Sequence, residues 1–260
     1  MHAAKSSNFP SSPESREMHF APAYSREMEG RVAIVSGAAG GIGKAIMAEL
    51  LGHGAHVVGF DLMDPPDSKL DWMKGDVGED HDVERVVAST VQEYGRLDFV
   101  VHAAGIARDG VLWKLSEDDW DAVHRVNLKS AFLLLRHAVP VMRKAERGSI
   151  VFIGSINGSR GKFGQTAYAA SKAGLLGLAK SAARECARFH LRVNVVEPGM
   201  VNTSMTRDLP ESVKEEALRE ILLGRFAEPV DIARAVHFLL GDGGSHITGQ
   251  ILRVDGGQYF

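Results

Sequence analysis

The chain has 260 residues, 45% of them apolar and 24% charged, with a net charge of -3, the composition of a globular protein with one large domain or two small ones. At this length roughly 70 to 75% of the unfolded surface can be buried, so neither disulfides nor metals are required for stability, and the lone Cys186 can form neither an internal bridge nor a zinc cluster. The 30 basic and 33 acidic residues include no long run of either sign, which excludes the electrostatic footprint of a nucleic-acid binder, and no stretch reaches the ~18 to 20 apolar residues of a membrane span.

Residues 1–28 are dominated by Ser, Pro and charge and lack hydrophobic periodicity, so they are expected to form a disordered or loosely attached extension, with the domain occupying 29–260 and Met28 a candidate true start. The extension has no apolar run of a secretory signal, and Glu14, Glu17 and Glu27 disfavour an organellar transit peptide. With one free thiol as well, a cytosolic protein is expected.

From Arg31 onward short apolar runs alternate with helical patterns. Strands are predicted near 31–36, 55–60, 70–74, 97–102, 149–154, 191–196 and 250–254, with helices near 42–53, 79–94, 116–144, 165–189, 211–222 and 229–240. The continuous apolar character of 97–104 and 149–154 fits strands covered on both faces. The fold class that follows is α/β: one doubly wound, seven-stranded parallel sheet with helices on both faces, ligands binding at the carboxyl edge of its strands.

Immediately after the first strand comes Ser36-Gly37-Ala38-Ala39-Gly40-Gly41-Ile42-Gly43, and a helical pattern begins at once. Gly37 permits the tight turn, Gly41 lets backbone amides approach a pyrophosphate, and Gly43 lets the helix pack closely on the sheet. Asp61 ends the second strand 18 residues after Gly43, where a ribose-binding acid is expected, and the set predicts a dinucleotide site. An Asp there accepts hydrogen bonds from a ribose 2'-hydroxyl and repels a 2'-phosphate, and no basic residue stands in the loop, so NAD(H) is favoured over NADP(H). Asp76, in the pair Asp76-Val77 after the third strand, is placed to meet the adenine amino group, or is an ordinary strand-end acid.

Tyr168 and Lys172 stand four apart in a helical pattern and therefore on one helix face. A charged ammonium beside a phenol, with an oxidised nicotinamide close by, favours the phenolate and makes proton exchange feasible near neutral pH. Ser155 ends the fifth strand on the same edge as the glycine loop, where its hydroxyl can hold a substrate oxygen in line. The remaining histidines show no metal-ligand spacing such as HExxH, and no metal site is expected.

With these residues in place, the chain from Met28 to Phe260 resembles a single-domain short-chain dehydrogenase/reductase. The family's TGxxxGxG loop corresponds to SGAAGGIG, and its catalytic Ser, Tyr and Lys to Ser155, Tyr168 and Lys172; its helix asparagine corresponds to Asn127. The resemblance implies that Tyr168 is the general acid/base, that Ser155 orients the carbonyl, that Lys172 lowers the tyrosine pKa and holds the nicotinamide ribose, and that Asn127 anchors a water in a proton relay. It further implies that Pro198, Gly199, Val201 and Thr203 cradle the nicotinamide, that Ile42, Val77, Ala104 and Gly105 complete the cofactor contacts, and that the protein forms a homotetramer through the helices near 116–144 and 165–189.

Two positions depart from the family pattern: Ser36 replaces the usual threonine, and His102 replaces the first asparagine of Asn-Asn-Ala-Gly. His102 is either a substitute partner for backbone near the adenosine or a satisfied core histidine. The C-terminal third resembles the 3-oxoacyl-[acyl-carrier-protein] reductase subgroup, which implies an acyl-thioester substrate, although that subgroup usually prefers NADPH and carries a basic residue in the loop. An NAD-linked dehydrogenase of a small cyclic, sugar or other secondary alcohol stays open. A non-catalytic nucleotide-sensing module would have no reason to keep Ser155, Tyr168 and Lys172 together. Residues 200–222, which mix Met200, Met205 and Leu209 with charges, are expected to form a substrate lid, and side chains near 106–113 and 156–165 to line the substrate pocket.

Overall fold

A computed structural model describes residues 27–260. The strands are β1 (Val32–Ser36), β2 (His56–Asp61), β3 (Trp72–Lys74), β4 (Phe99–His102), β5 (Gly148–Ile153), β6 (Leu191–Pro198) and β7 (Ile251–Val254). They pair in parallel in the order β3-β2-β1-β4-β5-β6-β7, as one sheet. The order reverses between β1 and β4, and the crevice at such a switch point is where open α/β sheets bind ligands.

Side chains alternate across the sheet, so each central strand feeds two cores. Ile34, Val100, Ile150, Phe152 and Val193 face α2 (Asp80–Tyr94), α4 (Ser130–Ala145) and α6 (Thr166–Cys186). Ala33, Val35, Val101, Val151 and Val196 face α1 (Gly41–Gly52) and α9 (Pro229–Leu240). Both faces are therefore dry, which is why these strands read as unbroken apolar runs rather than alternating ones. Cys186 is buried in the first core, and burial pushes its thiol pKa up, leaving it inert.

Three local features differ from the predicted elements. The single helix near 116–144 is instead α3 (Glu117–His124), a π-turn at Arg125–Lys129 and then α4. Arg125 reaches out to Asp76 (2.9 Å) and Glu79 (3.0 Å), Lys129 to the Gly78 carbonyl (3.2 Å), and the extra residue of the turn carries Asn127 to a fully buried position. Two short helices, α5 (Ile156–Arg160) and α7 (Ser204–Arg207), are too brief to show a period in the sequence; α8 (Glu211–Glu220) falls as expected. At the start of the domain, Met28 is only 1% exposed and donates its N–H to the His53 carbonyl (3.2 Å), so Glu27 and Met28 are packed against the domain rather than loosely attached. The rest of the predicted extension lies outside the described residues.

Among the described residues one group of potential metal ligands comes together, Glu49, His53 and His237, with ligand atoms within 4.8 Å of one another. The two imidazoles stack at 4.0 Å with 19° between their planes. Near-parallel rings direct their lone pairs side by side rather than at one point, so the group is a stacked pair flanked by Glu49 and by Glu27, whose carboxylate is 2.6 Å from His237 Nε2. No helix among the described residues is long and apolar enough to cross a membrane.

The two departures from the family pattern touch each other. Ser36 and His102 are register partners on β1 and β4, and the Ser36 hydroxyl lies 2.8 Å from His102 Nδ1. His102 Nε2 meets the Ser130 hydroxyl at 3.0 Å and the Asn127 carbonyl at 3.3 Å, while the edge of the ring contacts Phe152. This is a satisfied core histidine, fully buried and tying β1 and β4 to the π-turn. Burial, with the nearby Lys172 charge second, lowers its pKa to about 3. The unfolded chain, with its histidine near 6.5, therefore binds more protons between pH 3 and 6.5, so the stability from neutral His102 is complete above 6.5 and is lost as pH falls through that window. At pH 4.5 the loss from this group is expected to be about 2 to 3 kcal/mol. Denaturant unfolding at pH 7 and 4.5 should show that His102→Asn loses correspondingly less than wild type on acidification; equal losses would remove His102 from the account.

Candidate active site

The glycine loop is shaped by contacts that admit no side chain. Gly37 has φ +69°, and a Cβ on it would fall 2.4 Å from Ala104 N; a Cβ on Gly43 would fall 2.1 Å from the Gly37 carbonyl oxygen. β1, the loop and α1 thus close on one another only because these residues are glycines. α1 begins at Gly41 with no side chain capping its first amides and no acidic residue in its first turn. Uncapped amides at the positive end of a helix dipole suit a phosphate group.

Beside the loop lies a cavity of about 340 Å³ lined by residues that include Gly37, Asp61, Asp76, Val77, Ala104 and Gly105. Asp61 stands at its wall, its carboxylate fixed by the N–H groups of Ala39 (3.0 Å) and Met63 (3.0 Å). Asp76 accepts from Gly78 N–H (2.8 Å) and pairs with Arg125 (2.9 Å). The Arg125 contact was not legible in the sequence, and it uses one oxygen of the acid structurally. Val77 is buried against the cavity. These residues fit a dinucleotide: a glycine cradle at a helix start, an oriented acid at the end of β2 and an apolar wall.

This cavity shares Ala103 and Gly105 with a second, of about 600 Å³, lined by Ile42, Ser155, Tyr168, Lys172, Pro198, Gly199, Val201 and Thr203 among others. Three of the four expected catalytic residues, Ser155, Tyr168 and Lys172, meet here, while Asn127 is buried behind it. Ser155 caps α5, its hydroxyl accepting the Asn157 N–H at 3.2 Å. Lys172, 4% exposed, donates from Nζ to the Ile153 carbonyl at 2.8 Å, one residue pair before Ser155 on the same strand end. A Cβ on Gly158 would fall 2.9 Å from the Lys172 carbonyl carbon, so a glycine on α5 sets how closely α6 approaches the serine.

The electrostatics of this cleft differ from the expectation of a permanently charged lysine beside a lowered phenol. Burial lowers Lys172 to about 8, because its one hydrogen bond replaces only part of its hydration. Tyr168 is held above its ordinary value, chiefly by desolvation and then by the Asp109 charge, while the hydrogen bond from Ser155 pulls it partly back. Lys172 Nζ lies 5.7 Å from the tyrosine ring centroid and is aimed at the Ile153 carbonyl. The geometry of the tyrosine and lysine is in place, and burial dominates both titrations.

The Asn127 side chain makes three hydrogen bonds. Its amide donates to the Ile106 carbonyl (3.0 Å) and the Ser171 hydroxyl (3.0 Å) and accepts from Ile106 N–H (2.8 Å). It therefore staples the loop after β4 to α6, directly behind Gly105, whose Cβ position is 3.4 Å from Asn127 Oδ1 and 3.3 Å from Lys172 Nζ. On the other side, a Cβ on Gly199 would meet Gln258 Oε1 at 2.7 Å, Val201 bridges to Ala227, and the Thr203 methyl lies 3.0 Å from a Cβ placed on Gly41. Thr203 thus stands over the start of α1, between the two cavities. Met205, Leu209 and Val213 of the predicted lid line the larger cavity.

The segments expected to line the substrate pocket, 106–113 and 156–165, do contribute one wall of the cleft, but how they are tied together escaped sequence reasoning. Asp109, Gln165 and Asn157 line the cleft in hydrogen-bonded succession, Gln165 donating to Asp109 (2.9 Å) and Asn157 donating to Gln165 (2.9 Å). A backbone bridge between Gly110 and Gln165 also joins the two segments, and no local pattern announces it.

Comparison with known proteins agrees with this geometry. A family model described as "Enoyl-(Acyl carrier protein) reductase" matches residues 37–258. The 3-oxoacyl-[acyl-carrier-protein] reductase of Thermotoga maritima is 43% identical over 241 residues, covering 88% of this chain and 98% of the relative; that of Escherichia coli is 38% identical over 239 residues, covering 89% and 98%. Among solved structures, the ligand-free aldohexose dehydrogenase of Thermoplasma acidophilum superposes with a TM-score of 0.84 at 31% identity, over 90% of this chain and 95% of that one. A parallel sheet with a glycine cradle at its switch point, a serine, tyrosine and lysine gathered in one cleft, and relatives matched nearly end to end make this chain a member of the short-chain dehydrogenase/reductase family, an oxidoreductase acting between CH–OH and C=O groups.

Proposed function

We propose that the protein is an NAD(H)-dependent reductase of 3-oxoacyl thioesters, working between the 3-oxo and 3-hydroxy compounds. The observation that carries the cofactor choice is Asp61, a carboxylate fixed by two backbone amides at the wall of the smaller cavity, with Ala38, Ala39 and Gly40 as its neighbours in the loop rather than a basic residue. A 2'-phosphate there would meet a fixed negative charge, whereas a ribose hydroxyl would find an acceptor. The thioester substrate rests on the names of the 3-oxoacyl-[acyl-carrier-protein] reductases that the chain is similar to. A second reading, oxidation of a sugar or other small secondary alcohol, is favoured by the likeness to an aldohexose dehydrogenase.

When bound, the nicotinamide supplies or accepts the hydride. The Ser155 hydroxyl holds the substrate oxygen, and the Tyr168 hydroxyl gives it a proton on reduction and takes it back on oxidation. Lys172 keeps a positive charge next to the phenol, and its Nζ is the group to hold the ribose; Thr203, Pro198, Gly199 and Val201 form the nicotinamide wall, with Ile42, Val77, Ala104, Gly105 and Asp76 along the remainder. Asn127 keeps the loop and α6 in register and anchors the water through which Lys172 is reprotonated. Met205, Leu209 and Val213 belong to a lid that excludes solvent. The assembly we propose is a homotetramer in the cytosol, with the half-exposed Phe132 of α4 as a natural interface residue.

Two measurements test this reading. Acetoacetyl-CoA, a simple 3-oxoacyl thioester, should be reduced with NADH well ahead of NADPH; preference for NADPH would overturn the role given to Asp61, and turnover of secondary alcohols with NAD but none of the thioester would favour the second reading. Tyr168→Phe should lower kcat by about 10²- to 10⁴-fold while leaving NADH affinity near that of wild type. Full activity in that variant would remove Tyr168 from the proton transfer.

A further inference from the structure

The two walls of the larger cavity are joined behind it by a chain of side-chain hydrogen bonds that passes through Arg160. Toward the substrate side, Arg160 Nε donates to Asn157 Oδ1 (3.1 Å), Asn157 Nδ2 donates to Gln165 Oε1 (2.9 Å), and Gln165 Nε2 donates to Asp109 Oδ2 (2.9 Å). Toward the other side, Arg160 Nη1 donates to Glu220 Oε2 (2.8 Å), which also accepts from Gln258 Nε2 (3.1 Å). The carbonyl of that same amide, Gln258 Oε1, accepts the Met200 N–H at 3.0 Å and, together with Asp255 Cβ and Cα, leaves no room for a Cβ on Gly199. Asp109, Asn157 and Gln165 line one wall of the cavity, and Gly199 and Met200 line the other.

The chain has a definite direction. Each amide in it offers its oxygen to a donor on one side and its NH₂ to an acceptor on the other, so none can flip alone without two bonds being lost. Its charges alternate: the carboxylates of Asp109 and Glu220 stand on either side of one guanidinium. Arg160 is 80% buried and Glu220 just over half, so the central ion pair is only partly screened by solvent, and the arginine holds the Glu220 carboxyl below the usual carboxylate range. Neither Arg160 nor Glu220 lines either cavity of the cleft. Their effect on a ligand must pass through the residues they hold.

We propose that Arg160 is a positioning residue that couples the two walls, so that ordering of the Pro198–Met200 turn by the cofactor and ordering of Asn157 and Gln165 by the substrate reinforce one another. The proposal rests on the cofactor and substrate reading given above. The coupling is reciprocal: the factor by which bound substrate tightens the cofactor equals the factor by which bound cofactor tightens the substrate, so loss of Arg160 lowers both by the same amount. A side chain that merely stabilised α5 would instead alter melting temperature and leave the affinities in proportion.

The test is titration of full-length wild type, Arg160→Met, Glu220→Gln and the double variant with NADH, followed by nicotinamide fluorescence, without and with saturating 3-hydroxybutyryl-CoA, which cannot react with NADH, together with steady-state reduction of acetoacetyl-CoA and a melting temperature for each. 3-Hydroxybutyryl-CoA should tighten NADH binding to wild type, and in Arg160→Met that tightening is expected to fall about 5-fold, the lower end of typical coupling between sites, with the KM for acetoacetyl-CoA raised by a similar factor and kcat nearly unchanged. The double variant should resemble the Arg160→Met single, because both substitutions cut the same chain. A tightening of NADH by 3-hydroxybutyryl-CoA that is as large in both single variants as in wild type would overturn the coupling alone. Wild type that binds neither NADH nor NADPH would overturn the reading of the cleft and the coupling with it, whereas NADH binding with neither thioester turnover nor an effect of 3-hydroxybutyryl-CoA would reject the thioester and the substrate side of the coupling. Should Arg160→Met fail to fold, Glu220→Gln, at a more exposed position, carries the same comparison.

Discussion

A buried cation at the end of a strand is the constraint around which the site is built. Lys172 is almost completely removed from water, and its ammonium is held by the Ile153 carbonyl at the carboxyl end of β5. A lone buried ammonium is costly, so the bond fixes α6 against the sheet edge at one place and in one rotation. Tyr168, one turn earlier on α6, is thereby delivered beside Ser155, and Gly158 and Gly105 are the positions where the chain has given up side chains to let the lysine in. The polar framework behind it, Asn127 bonded to Ile106 and Ser171 with His102 bonded to Ser36 and Ser130, carries the same geometry back into the core.

Burial also sets the resting chemistry. It holds the phenol up and the ammonium down, so both groups favour their neutral forms more than they would in water. With Lys172 lowered only to about 8, the ammonium still carries its proton at neutral pH while the phenol is un-ionised. Charge entering the cleft changes the balance, since a cation favours the phenolate and water exclusion strengthens every interaction of this kind. Tyr168 is thus poised to respond to what binds rather than being pre-ionised.

Much of this was legible in the sequence. The seven strands, the glycine loop, Asp61 and the Ser155, Tyr168 and Lys172 set follow from apolar runs, glycine spacing and a four-residue helical offset, all of which are local. What was not legible is non-local or brief. The π-turn at Arg125–Lys129 sits inside an unbroken helical pattern and exists because Arg125 and Lys129 find partners on the segment after β3. The hydrogen-bond succession from Asp109 through Gln165 and Asn157, and its link through Arg160 to Glu220 and Gln258, joins residues up to 60 positions apart through side chains alone. The histidine at 102 reads as an anomaly in one strand until its neighbour Ser36 in the next strand is seen to meet it.

The most direct test of this account is the ionisation of Tyr168 itself, read as the ultraviolet difference between wild type and Tyr168→Phe through an alkaline titration, with and without saturating NAD. Without the nucleotide the phenol should ionise above the ordinary tyrosine value of about 10, and with it the midpoint should move well down toward neutrality. A midpoint that is already low in the free protein, or that does not move when NAD binds, would contradict the picture of a buried tyrosine and lysine that are activated by what enters the cleft.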